Sequence, residues 1–263
     1  MIGICTDSNS QLLHALAERH AIEVVPMTVT VGDHEYLEGV DLDTDDFYDL
    51  LRLDPQVSVS ASQPSPGQFA AAYESLLQRG CDEILSVHVT GSMSGALNSA
   101  RLAARSLPVP VRLVDSGTAS FGVSLCVWAA ADAVARGATL DEAVNVAESL
   151  APQIGMVFMR DAPAKVLGIP VLSLVAGHIK VVTHAKTMID GIAKMASIAA
   201  SWGPRLRVGV GLADRPSEPL TEALESALAR TGSVVEMVRY RIGPSIGAYT
   251  GIGAVGCFMC PAG

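Results

Sequence analysis

Over roughly the first 150 residues, short apolar runs alternate with stretches of helical period. Residues 2–5, 84–89 and 111–114 are strand-like, and each is followed by a polar loop and then a helix-like segment. This alternation predicts a parallel sheet with crossover helices. Residues 22–31 read as one further strand, after which Gly32-Asp33 turns the chain into a return arm over 34–37, giving an inserted hairpin. Asp43, Thr44, Asp45 and Asp46 open a helix whose first turn is acidic, a favourable arrangement against the helix dipole. Ser65-Pro66-Gly67-Gln68 has serine at the cap, proline at the first helical position and glutamine at the third, so a helix is predicted from Pro66 to about Gln78. After Asp115-Ser116 a long helix runs to Arg136 with Gly137 as its stop, and Thr139-Leu140-Asp141-Glu142 is a second capping box.

Beyond residue 150 the order changes. Three strand-like runs, 154–159, 169–175 and 179–182, follow one another before a helix over 186–202 with Met188, Ile192, Met195 and Ala199 at helical spacing. Strand 206–212, helix 218–229, strand 234–240 and strand 254–259 complete the chain. The fold class is therefore α/β in two domains: a three-layer parallel-sheet domain over 1–150 and a mixed-sheet α/β domain over 151–263.

Composition narrows the ligand. Hydrophobic residues make up 49% of the 263 positions, enough for sizeable cores, whereas aromatics are only 5%. A cavity in this chain is lined by aliphatic side chains, which suits an aliphatic ligand better than a stacked base or sugar. The net charge of −9 excludes the basic footprint that nucleic acid or an anionic membrane surface requires. The N-terminal residues carry no basic leader, and the longest apolar stretch, 121–131, stops at Asp132, so no transmembrane segment is expected. Five cysteines, an odd number set mostly in apolar runs, suit buried thiols in a reducing compartment, and a cytoplasmic protein is expected.

Three hydroxyl-rich turns carry the candidate chemistry: residues 6–10, 60–67 and 90–95. The first and third leave the carboxyl ends of strands, where open α/β sheets bind ligands. Serine hydroxyls next to free helix N-terminal amides suit a carboxylate or phosphate. Other motifs are weaker. Gly251-Ile252-Gly253-Ala254-Val255-Gly256 matches the dinucleotide fingerprint as a string but lacks the acid about 20 residues on, so it reads as a backbone loop making a close approach. Cys257 and Cys260 would face opposite sides of a strand, and His178 and His184 have no third ligand at useful spacing, so neither metal nor redox cofactor is expected. Asp7 and Asp115, each after a strand and before a serine, are either phosphate-transfer or metal carboxylates or, more ordinarily, caps of the next helix or ties between loops. Ser94 with His88 as base would make an acyl hydrolase or transferase, although nothing in the sequence orients His88 by a carboxylate.

Taken in order, residues 5–10, 25–29, 38–42, 62–67, 93–100 and 114–116, then 169–172 and 243–253, resemble the DegV family of bacterial fatty-acid-binding proteins. The resemblance implies a two-domain carrier that holds a long-chain fatty acid in a tunnel between its domains. The carboxylate is presented to a separate ATP-dependent fatty acid kinase, for lipid synthesis, and the carrier itself supplies no catalytic nucleophile. Burial of a fourteen-carbon tail at about 0.8 kcal/mol per methylene gives about 11 kcal/mol before ordering costs. By position, the resemblance assigns Ser62 and Ser94 to the carboxylate and Gly95 to close backbone approach, and Tyr249 can donate from its phenol. Departures from the family pattern are Ala61 for threonine, Tyr249 for histidine, Ala96-Leu97 for threonine-tyrosine, and a segment shortened to residues 160–165 where a Gly-Gly-Arg turn is expected. Alternatives are a divergent homologue for another acyl ligand, the Ser94/His88 enzyme, or a protein-binding module.

Overall fold

The computed structural model describes residues 1–160, 168–175 and 178–262; the shortened segment expected at 160–165 lies, after Arg160, outside them. In chain order the first part forms β1 (Ile2–Asp7), α1 (His14–Arg19), β2 (Glu23–Val25), β3 (Thr28–Val31), β4 (His34–Leu37), α2 (Thr44–Leu53), β5 (Val59–Ser62), α3 (Pro66–Gln78), β6 (Glu83–His88), α4 (Ala96–Ala104), β7 (Val111–Asp115), α5 (Phe121–Ala135) and α6 (Leu140–Leu150). The second part forms β8 (Gly155–Met159), β9 (Ile169–Val175), β10 (His178–Ala185), α7 (Met188–Ala200), β11 (Leu206–Leu212), α8 (Glu218–Ala229), β12 (Val234–Arg241), α9 (Pro244–Thr250) and β13 (Val255–Pro261). These elements make two compact units, one of residues 1–42 and 58–152, the other of residues 43–57 and 153 onward.

In the first unit a parallel sheet of order β2-β1-β6-β7 is flanked by α3 with α4 on one side and α5 with α6 on the other. The apolar stretch that ends at Asp132 is α5, buried almost all round as a core helix. Among the described residues no helix is long and apolar enough to cross a membrane. Both expected capping boxes form: Ser65 accepts from the Gln68 amide while the Gln68 side chain accepts from the Ser65 amide, and Thr139 and Glu142 do the same. Residues 22–31 are not one strand. Pro26 has no amide to donate to a ladder, and at that point the chain leaves the parallel sheet as β2 and enters a separate antiparallel sheet of order β4-β3-β5 as β3. Residues 60–62, expected to open a turn, instead end β5, with Ser62 opposite Thr28 and Ala61 opposite Val29.

The second unit is a mixed sheet of order β10-β9-β8-β13-β11-β12, in which only β11 and β12 are parallel among the pairs described. Val157, Met159, Val171, Val208, Val210 and Val255 pack with Met195, Ile192, Leu224 and Leu228 of α7 and α8. Side chains alternate along strands, so the opposite face carries Met156, Phe158, Leu172, Leu174, Ile179 and Val181, with Phe258 and Tyr240 on the neighbouring strands, and is largely apolar as well. α2 belongs to this unit through long-range ties: Arg241 and Arg215 donate to Asp45, Arg52 donates to Asp214, and the Tyr48 hydroxyl donates to the Ile242 carbonyl. The glycine-rich string lies between α9 and β13, the reverse of the strand-to-helix order a dinucleotide loop needs. Gly251 and Gly253 have φ of +73° and +74°, and a Cβ on Gly256 would meet the Val157 carbonyl at 2.6 Å, so these glycines serve a turn and a close strand approach.

Candidate functional site

The second and third hydroxyl turns come together in the first unit. β5 ends at Ser62, whose side chain is exposed, and the next residue, Gln63, lies against Gly95: a Cβ built on Gly95 would stand 3.2 Å from the Gln63 side-chain amide. Gly95 has φ −80°, a value open to any residue, so glycine here serves the approach of Gln63 rather than an unusual backbone. Ser94 is half-buried, and its hydroxyl accepts from the Ala96 amide at 3.2 Å. Thr90 holds this turn, its carbonyl accepting from the Met93 and Ser94 amides at 3.0 and 3.1 Å.

α4 starts immediately afterwards. The amides of Gly95, Leu97 and Asn98 take no acceptor among the described residues, as expected for a helix whose first turn is left open. No acidic residue stands in that first turn. The Ser94 turn, the open start of α4 and the chain that follows Ser62 therefore meet at one place, where hydroxyl and amide donors can receive a carboxylate or phosphate oxygen. Tyr249, the fourth expected residue, stands on α9 of the second unit with its side chain 70% exposed.

The carboxylates are otherwise employed. Asp115 ties two loops, its Oδ2 accepting from the Gly91 amide at 3.0 Å and its Oδ1 from the Gly117 amide at 2.9 Å. Asp7 is wholly buried and pairs with His88, whose Nδ1 lies 2.8 Å from Asp7 Oδ2. The other ring nitrogen of His88 lies 2.7 Å from Ser86 Oγ, which lies 2.9 Å from the Tyr73 hydroxyl. His88 is thus oriented by a carboxylate, contrary to the sequence reading, but it is wholly buried and neither ring nitrogen is bonded to Ser94. Sequence reasoning missed Ser86 and Tyr73; the available signal was a serine two residues before a histidine, on the same face of a strand.

The first turn is largely structural. The Ser8 hydroxyl donates to Glu38 and accepts from the Met27 amide, Asn9 accepts from the Ser120 amide, and the Ser10 carbonyl accepts from Ser124. All five cysteines are buried free thiols, and burial pushes Cys257 up to about 12 and Cys260 up to about 11. Among the described residues no group of three or more His, Cys, Asp or Glu side chains is placed to hold a metal ion.

A family model described as "uncharacterised protein, DegV family" matches residues 1–162. A DegV domain-containing protein from Streptomyces coelicolor is 32% identical over 97% of this chain and 96% of its own length. Among solved structures, a DegV family protein from Thermus thermophilus, described for its fatty acid binding, is 26% identical with a TM-score of 0.89 and 99% of each chain covered. DegV of Bacillus subtilis, a fatty acid binding protein, shares the fold at 24% identity, with a TM-score of 0.87 and 99% of each chain covered. With a matching family model over more than half its length and a relative of this identity aligned nearly end to end, the chain belongs to the DegV family.

Proposed function

We propose that this protein is a cytoplasmic carrier that binds a long-chain fatty acid and presents its carboxylate to a partner ATP-dependent fatty acid kinase. The head group is held by the hydroxyls of Ser62 and Ser94 and by the open amides that begin at Gly95. The observation that carries this reading is the meeting of two serine turns at the open first turn of α4, which bears amide donors and no acidic residue. Charge-assisted hydrogen bonds fix a carboxylate there, while affinity comes from the tail. The scarcity of aromatics along the chain agrees with an alkyl ligand. The fatty acid binding described for the Thermus thermophilus relative supports the same ligand class. An acyl hydrolase using Ser94 is less well supported, since both nitrogens of His88 are engaged by buried partners.

Native mass spectrometry of the purified protein, before and after denaturation, tests the ligand. A mass excess that is released on unfolding and identified as a fatty acid is expected. Protein that stays empty when loaded with oleate, palmitate and myristate contradicts the reading.

A further inference from the structure

Tyr73, Ser86, His88 and Asp7 are all wholly buried and form one hydrogen-bonded line from α3 through β6 to β1. Its direction follows from proton inventory. Tyr73 has one proton and, among the described residues, one partner, so its hydroxyl donates to Ser86 Oγ. Burial raises the Tyr73 pKa, which keeps that proton in place. Ser86 then donates to His88 Nε2, and the Nδ1–H of the imidazole donates to Asp7 Oδ2. The same oxygen accepts from the Val89 amide at 3.4 Å. The reverse direction leaves the Tyr73 proton without an acceptor, a costly state for a buried hydroxyl. Phe69 holds the imidazole edge-on at 5.0 Å between ring centroids. This line ends where the head-group turn begins: the His88 carbonyl accepts from the Ser116 amide, the Thr90 amide donates to the Thr118 carbonyl, and Ser94 hangs from the Thr90 carbonyl.

We propose that Asp7 and His88 are positioning residues for the fatty-acid head group: the Asp7 carboxylate holds His88 as its Nδ1–H tautomer, and the pair fixes the end of β6 from which the Ser94 turn hangs. The proposal rests on the head-group site described above. In the chain of contacts Asp7 holds the His88 ring and the Val89 amide together, so its carboxylate fixes the residue that follows β6 as well as the ring.

The test compares H88N with H88L, reading oleate affinity by displacement of a fluorescent fatty acid and stability by urea unfolding. In H88N a side-chain amide N–H stands in for Nδ1–H and keeps the donor to Asp7, whereas H88L leaves the carboxylate without it. H88L is expected to bind oleate about tenfold more weakly while H88N stays within about threefold of wild type, even where both lose stability. Equal affinities for wild type, H88N and H88L, with stability alone reduced, overturn the positioning role. If H88L does not fold, D7N carries the comparison: weakened oleate binding by a folded D7N is expected, and wild-type affinity overturns the proposal. Nitrogen-15 NMR of the wild-type imidazole reads the line without ligand, so it separates this proposal from the ligand assignment. Protonated Nδ1 with bare Nε2 is expected, and the opposite tautomer overturns the proposed direction even if oleate binds.

Discussion

Replacing Ser62 and Ser94 one at a time separates ligand capture from support of the fold, because the two hydroxyls are placed differently. Ser62 is exposed at the end of an edge strand, so Ser62→Ala should change unfolding free energy by no more than about 0.5 kcal/mol. Ser94 accepts from the first amide of α4, and Ser94→Ala should cost about 1 kcal/mol as a lost hydrogen bond. Against a carboxylate each hydroxyl offers a charge-assisted bond worth about 1.5–3 kcal/mol, which corresponds to roughly 10- to 100-fold in Kd. Oleate titration by displacement, run beside urea unfolding of the same preparations, should therefore find Ser62→Ala weak in binding and normal in stability. Ser94→Ala should be weak in both, and the double variant weaker in binding than either while still folded. Oleate affinity unchanged within about twofold in all three would falsify the assignment of these serines.

The second unit supplies a pH test. Arg241, and after it Arg215, hydrogen-bond to Asp45 and hold its carboxyl below the usual carboxylate range. A depressed folded-state value contributes stability that is present above the unfolded value, at about pH 4, and lost as pH falls through the folded value. Asp45→Asn should therefore lower the urea midpoint at pH 7, with the gap to wild type closing as pH falls from the unfolded value through the lowered folded one; a gap independent of pH contradicts the ion-pair role. Gly247 on α9 has no room for a methyl: a Cβ there would meet Phe47 Cε1 at 2.5 Å and Tyr48 Oη at 2.9 Å, so Gly247→Ala should cost about 1–3 kcal/mol in urea unfolding. The five buried thiols should resist an aromatic disulfide reagent at about pH 8 in the native protein and all react in urea, whereas rapid native labelling of Cys257 or Cys260 would contradict their burial.

What the sequence disclosed was local chemistry. Ser65-Pro66-Gly67-Gln68 and Thr139-Leu140-Asp141-Glu142 satisfy their own helix ends within four residues, so both capping boxes formed as expected. The break at Pro26 was also local, but it was masked by the strand-forming residues on either side. β5 carried a readable signal, since residues 57–62 alternate apolar and polar side chains, yet its serines and the prolines that follow favoured a turn. The place of α2 was not readable, because it depends on Asp45 meeting Arg241 196 positions away and Arg52 meeting Asp214 162 positions away. For the site, the meeting of Gln63 with Gly95 is a tertiary contact that residue types do not encode, and the serines were singled out as a pair through family resemblance. Asp7 and His88 were each noticed alone; only the side-by-side pairing of β1 and β6 joins them.

The most direct test is a crystal structure of the protein with oleate. The carboxylate oxygens are expected about 2.7–3.2 Å from the hydroxyls of Ser62 and Ser94 and from at least one amide at the start of α4. Oleate bound with its carboxylate away from both serines contradicts the proposed head-group site, even if the tail is buried.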